Sequence, residues 1–293
     1  MTGDNSVNEF EYILARQTAW ALNRGLKLIG SAGNRGREIY TKSLDENLFQ
    51  PLNHETRCEI EDGDGGELTS NDGRPAKMQA LHSSSTLAAN VFDYWRSATD
   101  LSPLTSACGL VRTQGQITGT IRFEQKFPIN DSFKIAPNLD VVIYPAEPND
   151  YEAIAIESKF TEAYSSTSHG GIKDKYLTND EIWTGLTALK QLAIEISPDD
   201  NYFTCLHAAQ LIKHILGLNR TFGHSKYRIL YLWYDALGKA GALHREEVDR
   251  FNRIATSDGV AFHAMTYQEL LLKLAEHRDS HGSYVEYLTS RYL

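Results

Sequence analysis

Apolar residues recur at helical spacing through EYILARQTAWALNRGLKLI (11–29), and the glycines of GSAGNRG (30–36) are expected to end that helix. From residue 83, SSSTLAANVFDYWR opens with serines suited to an N-cap and sets Leu87, Val91, Tyr94 and Trp95 on one helical face. The period then changes to two. TGTIRFEQKFPI (118–129) alternates Ile121, Phe123 and, after Gln125, Phe127 against Arg122, Glu124 and Lys126, which predicts a half-exposed strand. NLDVVIYPAEPNDYEAIAIESKF (138–160) reads as two apolar strands joined by a bend rich in Pro, Asn and Asp.

Helical spacing returns in NDEIWTGLTALKQLAIEI (179–196) and in TCLHAAQLIKHILGL (204–218), the second ending at glycine. RILYLWYD (228–235) suits a strand buried on both faces. REEVDRFNRIA (245–255) is helical with Val248, Phe251 and Ala255 in register, and GVAFHAM (259–265) is a short strand. Thr266 and Glu269 form a T-x-x-E capping box for a helix through Leu270, Leu271 and Leu274. The order predicts an α/β protein with a mixed central β-sheet flanked by helices. The strands before residue 165 are close enough for hairpins, and helices separate the later ones. No internal repeat interrupts this order.

Composition narrows the classes. With 293 residues, 41% hydrophobic and 23% charged, the chain can bury an ordinary core as one large domain or two small ones. Cys58, Cys108 and Cys205 lie far apart without a CxxC pair, which argues against a structural zinc site or a disulfide framework and fits a reducing cytosol. The start MTGDNSVNEF carries no basic apolar leader, and no apolar run reaches membrane-spanning length, so a cytoplasmic protein away from membranes is expected. A net charge of −9 weighs mildly against a polyanion partner, although a local groove and bound divalent cations can supply positive field. No GK[ST] element supports a phosphate-binding loop. The acidic, glycine-rich EIEDGDGGELTSNDGRP (59–75) fails as a calcium loop because Gly66 and Gly73 fall on ligand positions; a solvated loop is expected.

The chemistry concentrates at 140–159. Alternation puts Ala155, Glu157 and Lys159 on one strand face, with Ile156, Ser158 and Phe160 on the other. A hairpin through 145–152 can bring Asp140 beside Glu157. Two converging carboxylates make a hard-oxygen site suited to magnesium, and a neighbouring lysine can stabilise charge that develops on a phosphoryl group. The natural substrate of such a site is a phosphodiester. A surface ion pair on an edge strand is the competing account.

These residues resemble the PD-(D/E)XK nuclease superfamily, the restriction-endonuclease-like fold. Asn138-Leu139-Asp140 is followed after sixteen residues by Glu157-Ser158-Lys159, and NLDVVIY, AIAIESKFTE and AAQLIKHILGL are similar to segments of bacterial restriction-endonuclease-like proteins. The resemblance covers roughly residues 80–275. It implies a restriction-endonuclease-like nuclease domain over 81–293, preceded by an N-terminal helical and loop extension over 1–80 of unassigned role. It further implies magnesium, with manganese able to substitute, held by Asp140, Glu157 and the backbone carbonyl of Ser158, with Lys159 serving the attacking water. Pro137 departs from the pattern by standing three residues before Asp140. A second E-x-K triplet, Glu124-Lys126, lacks an upstream acidic partner.

Secondary candidates surround this core. Gln210 and His214 are similar to the Q-x-x-x-Y helix of lambda-exonuclease-like and RecB-like nucleases, with His in place of Tyr, and share the polar helix side with His207. A zinc site from His207 and His214 is not supported. Glu124 is a candidate third acidic metal ligand, and Glu162 has a comparable claim. Lys173 and Lys175, in the polar segment after the E-x-K strand, together with Lys213 and His214, are candidate substrate contacts. Tyr94 and Trp95 suit core packing better than base stacking. DNA is the expected partner, in a restriction or phage-defence setting, and a two-strand cutter would favour a homodimer. A non-cleaving nucleic-acid-binding or protein-assembly module, or a nuclease for RNA or for damaged or branched DNA, remains open.

Overall fold

The structure is a computed structural model that describes residues 8–32, 35–71, 73–110, 116–147, 151–164 and 169–293. Helix α1 (Glu9–Asn23) leads into a hairpin of β1 (Ile29–Ala32) and β2 (Arg35–Tyr40), followed by α2 (His54–Glu61), α3 (Ser84–Arg96) and α4 (Ser102–Ala107). Strands β3 (Gly119–Lys126), β4 (Asn138–Pro145) and β5 (Ala153–Lys159) come next. Then follow α5 (Asp174–Leu177), α6 (Thr187–Glu195), α7 (Ala208–Phe222), β6 (Tyr227–Trp233), α8 (Gly238–Ser257), β7 (Ala261–Thr266), α9 (Tyr267–Leu274) and α10 (Arg278–Tyr292).

One five-stranded sheet runs in the order β3-β4-β5-β6-β7. The first three strands form an antiparallel meander, while β5, β6 and β7 are parallel. The mixed sheet follows from connection length: short connections join the early strands, and helical crossovers join the late ones; the bend expected over 145–152 lies partly outside the described residues. It is compatible with a restriction-endonuclease-like core.

Alternation along the strands divides the apolar residues between the two sheet faces. Ile154, Ile156, Leu230 and Leu232 pack with Leu87, Phe92, Trp95, Leu270 and Tyr284 on one face. Ala153, Ala155, Ile229 and Tyr231 pack with Leu189, Ile212, Ile215 and Phe251 on the other. The first cluster also takes in Ile13, Trp20, Leu48, Ile60 and Met78, so residues before 80 share a core with α3 and α10.

Several boundaries differ from expectation. The helix expected over 11–29 stops at Asn23, because Ile29 and Gly30 pair with Tyr40 and Glu38 in a hairpin. The helix expected over 179–196 is broken and restarts at Thr187, where the Asp258 carboxylate receives the amides of Ala188 (2.9 Å) and Leu189 (2.8 Å). The helix expected over 204–218 begins later, since Glu247 receives the amides of Thr204, Cys205 and Leu206 at 2.7–2.9 Å. It also runs through Gly217 to Phe222. A Cβ at Gly217 would lie 2.4 Å from the Phe127 carbonyl oxygen, so this glycine serves a close backbone approach and not a helix end.

The acidic segment beginning at 59 is not simply solvated. Glu59 receives Arg96 Nη1 at 2.6 Å, Arg122 Nη1 at 2.8 Å and the Phe123 amide at 3.0 Å, which clamps α2 onto β3. Asp64 pairs with Lys126 at 2.8 Å. The capping box of Thr266 and Glu269 is present as expected. Trp95 donates to Tyr284 Oη at 2.9 Å and Tyr94 stacks on Tyr284 at 4.1 Å, so both are packing residues. Among the described residues, no helix is long and apolar enough to cross a membrane.

Candidate active site

Strand register delivers the two central carboxylates. Val141 pairs with Ile156 and Val142 with Ala155, so the same register sets Asp140 opposite Glu157 on the face covered by α6, α7 and α8. The Ser158 amide donates to Asp140 Oδ2 at 2.7 Å, fixing that carboxylate at the β5 edge. The Ser158 hydroxyl points to the other face and hydrogen-bonds Tyr267 Oη at 2.6 Å. The three residues thus divide as alternation requires.

Glu157 is 1% exposed and faces the Lys159 ammonium and the His214 imidazole. Lys159 Nζ lies 2.7 Å from Oε1, and His214 Nε2 lies 2.9 Å from Oε2. Neither approach has hydrogen-bond alignment, so both oxygens keep unused acceptor capacity inside the protein. Lys159 Nζ donates instead to Gln210 Oε1 at 2.9 Å. Helix α7 therefore supplies two site groups one turn apart, and the Gly217 contact sets its height over the sheet.

Electrostatics separates the carboxyls. Burial and the neighbouring Glu157 charge raise Asp140 well above the usual carboxylate range. Burial alone would raise Glu157 too, but Lys159 and His214 outweigh it and hold its carboxyl down at about 2. Burial opposes the charge on Lys159, yet Glu157 and Asp140 overcome that and raise its pKa, so the lysine remains an ammonium. The two shifts run in opposite directions and favour the negative charge on Glu157 over one on Asp140.

Glu124 sits across the ladder from Asp140 with φ of 51°, a left-handed backbone that is uncommon for a strand residue. It receives a hydrogen bond from Asn138 Nδ2. Burial, then the charges of Glu67 and Glu157, push its carboxyl up to about 7. The 59–75 segment reaches this group: a Cβ on Gly63 would come within 3.1 Å of Glu124 Oε2.

The remaining candidates fall around this centre. The polar side of α7 turns inward at His214, which is 2% exposed and touches Glu157; buried there, it is not the substrate contact expected of it. Lys173 and Lys175 are exposed, and Lys213 is half-buried. Burial and the charges of Lys173 and Lys175 lower the Lys213 pKa, which makes the three lysines neighbours. Lys175 Nζ also sits 4.7 Å above the Phe133 ring. Glu162 is turned back to the Phe160 amide at 2.9 Å. His207 precedes α7 and stacks on His169 at 4.7 Å between ring centres. Burial and the nearby charges of His169, Lys159 and Lys213 hold it down at about 4. The sequence singled out neither His169 nor the Glu59 clamp, because each depends on contacts between distant segments.

Among the described residues, no three His, Cys, Asp or Glu side chains converge at metal-ligand spacing. The buried Glu157 carboxylate, whose two oxygens accept no hydrogen bond, and the half-buried Asp140 carboxylate beside it nevertheless fit magnesium, which retains most of its waters and takes one or two carboxylates.

Residues 14–293 match the family model described as "Restriction Endonuclease associating with ARP". No curated protein and no solved structure gives a significant match to the chain.

Proposed function

Because the chain belongs to the family of restriction endonucleases associating with ARP, we propose that it is a PD-(D/E)XK-type metal-dependent nuclease that hydrolyses DNA in restriction or phage defence. The observation carrying this reading is the Asp140–Ser158–Glu157–Lys159 cluster, where the Ser158 amide holds Asp140 at 2.7 Å and Lys159 lies 2.7 Å from Glu157. Asp140, Glu157 and the Ser158 carbonyl would hold magnesium, or manganese in its place, with Glu124 alongside. Bound there, the cation would lower the pKa of a coordinated water and neutralise charge on a phosphoryl oxygen.

The protein's own groups have narrower tasks. Lys159 is held charged between Glu157 and Gln210, so it stabilises negative charge on the phosphorus oxygens and does not abstract a proton. Gln210 orients that ammonium. His214 packs a ring nitrogen against Glu157 and helps fix that carboxylate in place. Lys173, Lys175 and Lys213 would take backbone phosphates, which gives affinity without sequence readout. A protein partner of the ARP type follows from the family's description.

A second reading has one observation in its favour. The Lys159 ammonium already lies 2.7 Å from Glu157, so this carboxylate is charge-balanced as it stands, which suits a non-cleaving nucleic-acid-binding or assembly module. The discriminating experiment incubates the protein with plasmid, single-stranded DNA and RNA, in magnesium or in EDTA, beside Asp140→Ala and Lys159→Ala. Magnesium-dependent DNA cutting lost in both variants supports the nuclease. Cutting that survives both moves the chemistry elsewhere, and preference for RNA changes the substrate.

A further inference from the structure

Leu237, between β6 and α8, is held in a backbone conformation that leucine avoids. Its φ of 62° and ψ of −172° lie in a region used almost only by glycine. The next residue is Gly238, with φ of 67°, so the turn sets two successive residues at positive φ and gives one of them to leucine. The side chain gains no burial in exchange, since it is 60% exposed. Leu22 and Leu272 are equally exposed, but they sit in ordinary helices and need no special account.

The surroundings hold this conformation from several directions. The Leu237 amide donates to Asp235 Oδ1 at 2.8 Å, and Asp235 Oδ2 receives Arg245 Nη2 at 2.9 Å. Gln268 grips the Asp235 backbone on both sides, accepting from its amide at 3.1 Å and donating to its carbonyl at 2.8 Å. Tyr164 Oη donates to the Tyr234 carbonyl and accepts the Ala236 amide. Strain that is over-determined in this way marks a group the fold is built to present.

Its place in the sheet says to what. Trp233 pairs with Lys159 in the parallel ladder, and the Tyr234 amide donates to the Lys159 carbonyl at 2.9 Å. The loop therefore leaves the sheet beside the Lys159 end of β5, three residues before Leu237. Lys239, two residues on, is exposed and adds positive charge near the leucine, whereas the Arg245 guanidinium is held by Asp235 at 2.9 Å and Glu269 at 3.9 Å. A rigid apolar tip with a lysine two residues on, at the Lys159 end of the sheet, matches a double helix: the cation for a backbone, and the apolar group for the base stack.

We propose that Leu237 is a wedge that enters the base stack of duplex DNA engaged at the Asp140–Glu157 site. The proposal rests on the nuclease reading and makes duplex, not single-stranded, DNA the substrate. Unstacking a base step would admit a bent duplex to the cleft.

The test uses the full chain carrying Asp140→Asn as a non-cleaving trap, and a duplex with 2-aminopurine scanned along it. Binding should raise fluorescence at one step; adding Leu237→Gly should abolish the rise, and Leu237→Met should retain it. In the otherwise wild-type chain, Leu237→Gly should lower duplex cleavage by roughly ten-fold, leave single-strand cleavage unchanged, and raise Tm by about 2–4 °C because glycine relieves the backbone. An unchanged or lower Tm would overturn the strain premise. Duplex binding with the same fluorescence in Leu237→Gly would overturn the wedge while leaving the nuclease reading intact, and would turn attention to Leu237 as a protein contact. No binding or cleavage of any nucleic acid would overturn both.

Discussion

Asp140 and Ser158 are joined across two strands: the Ser158 amide reaches Asp140 Oδ2 at 2.7 Å, directly beside a Glu157 that is almost wholly buried. Two acidic groups placed so closely inside a sheet cost stability unless one of them is neutral or a cation joins them. The account of this protein follows from that juxtaposition.

Removing the Asp140 charge should therefore harm activity and help the fold. Its folded pKa lies above the unfolded one, so its contribution to stability is full at low pH and is lost as pH rises through the folded value. Asp140→Asn removes this loss. In EDTA the Tm advantage of the variant should be near zero at pH 4 and grow towards pH 8, reaching several degrees, while magnesium-dependent cleavage disappears. A variant less stable than wild type at pH 8 would contradict the arrangement.

Glu124, raised to about 7 by burial and then by Glu67 and Glu157, links cation binding to protons. Manganese affinity measured by calorimetry should rise between pH 6 and pH 8 as this carboxyl ionises. With Glu124→Gln the rise should be shallower, with fewer protons released on binding. Equal pH slopes in the two proteins would remove Glu124 from the site.

The buried pair of Glu157 and Lys159 should show strong coupling in a double-mutant cycle. Lys159→Met alone strands a buried carboxylate with His214 and should cost about 3–5 kcal/mol in urea denaturation at pH 7. Combined with Glu157→Gln, much of that cost should return, although cleavage stays lost. Additive costs would mean that the two groups do not act as a pair.

Gly217→Ala offers a test of position. Alanine is the better helix former, but its Cβ would meet the Phe127 carbonyl at 2.4 Å. The helix must shift, at a cost of about 1–3 kcal/mol, and carries Gln210 and His214 with it. Cleavage should fall by roughly 10–100-fold, through misplacement of Lys159. Unchanged stability and activity would show that the contact does not set the helix height.

What the sequence revealed and what it hid follow one rule. Asp140, Glu157 and Lys159 were legible because strand alternation and a short bend are local properties, and the structure brings these residues together with Gln210. The Thr266–Glu269 cap was legible for the same reason. His214 was named beside Gln210, but its burial was not legible, because only the partner Glu157, far away in sequence, explains it. Nor could the 59–75 segment be placed: Glu59 owes its position to Arg96 and Arg122, on two other elements. Gly217 resembled a helix stop because its spatial neighbour, the Phe127 backbone, leaves no local trace.

The most direct measurement is an anomalous difference map from crystals of the wild-type protein soaked in manganese. The account predicts a peak about 2.1 Å from carboxylate oxygens of both Asp140 and Glu157, absent in Asp140→Asn crystals soaked in the same way. A peak bound elsewhere, or none at saturating manganese, would contradict it.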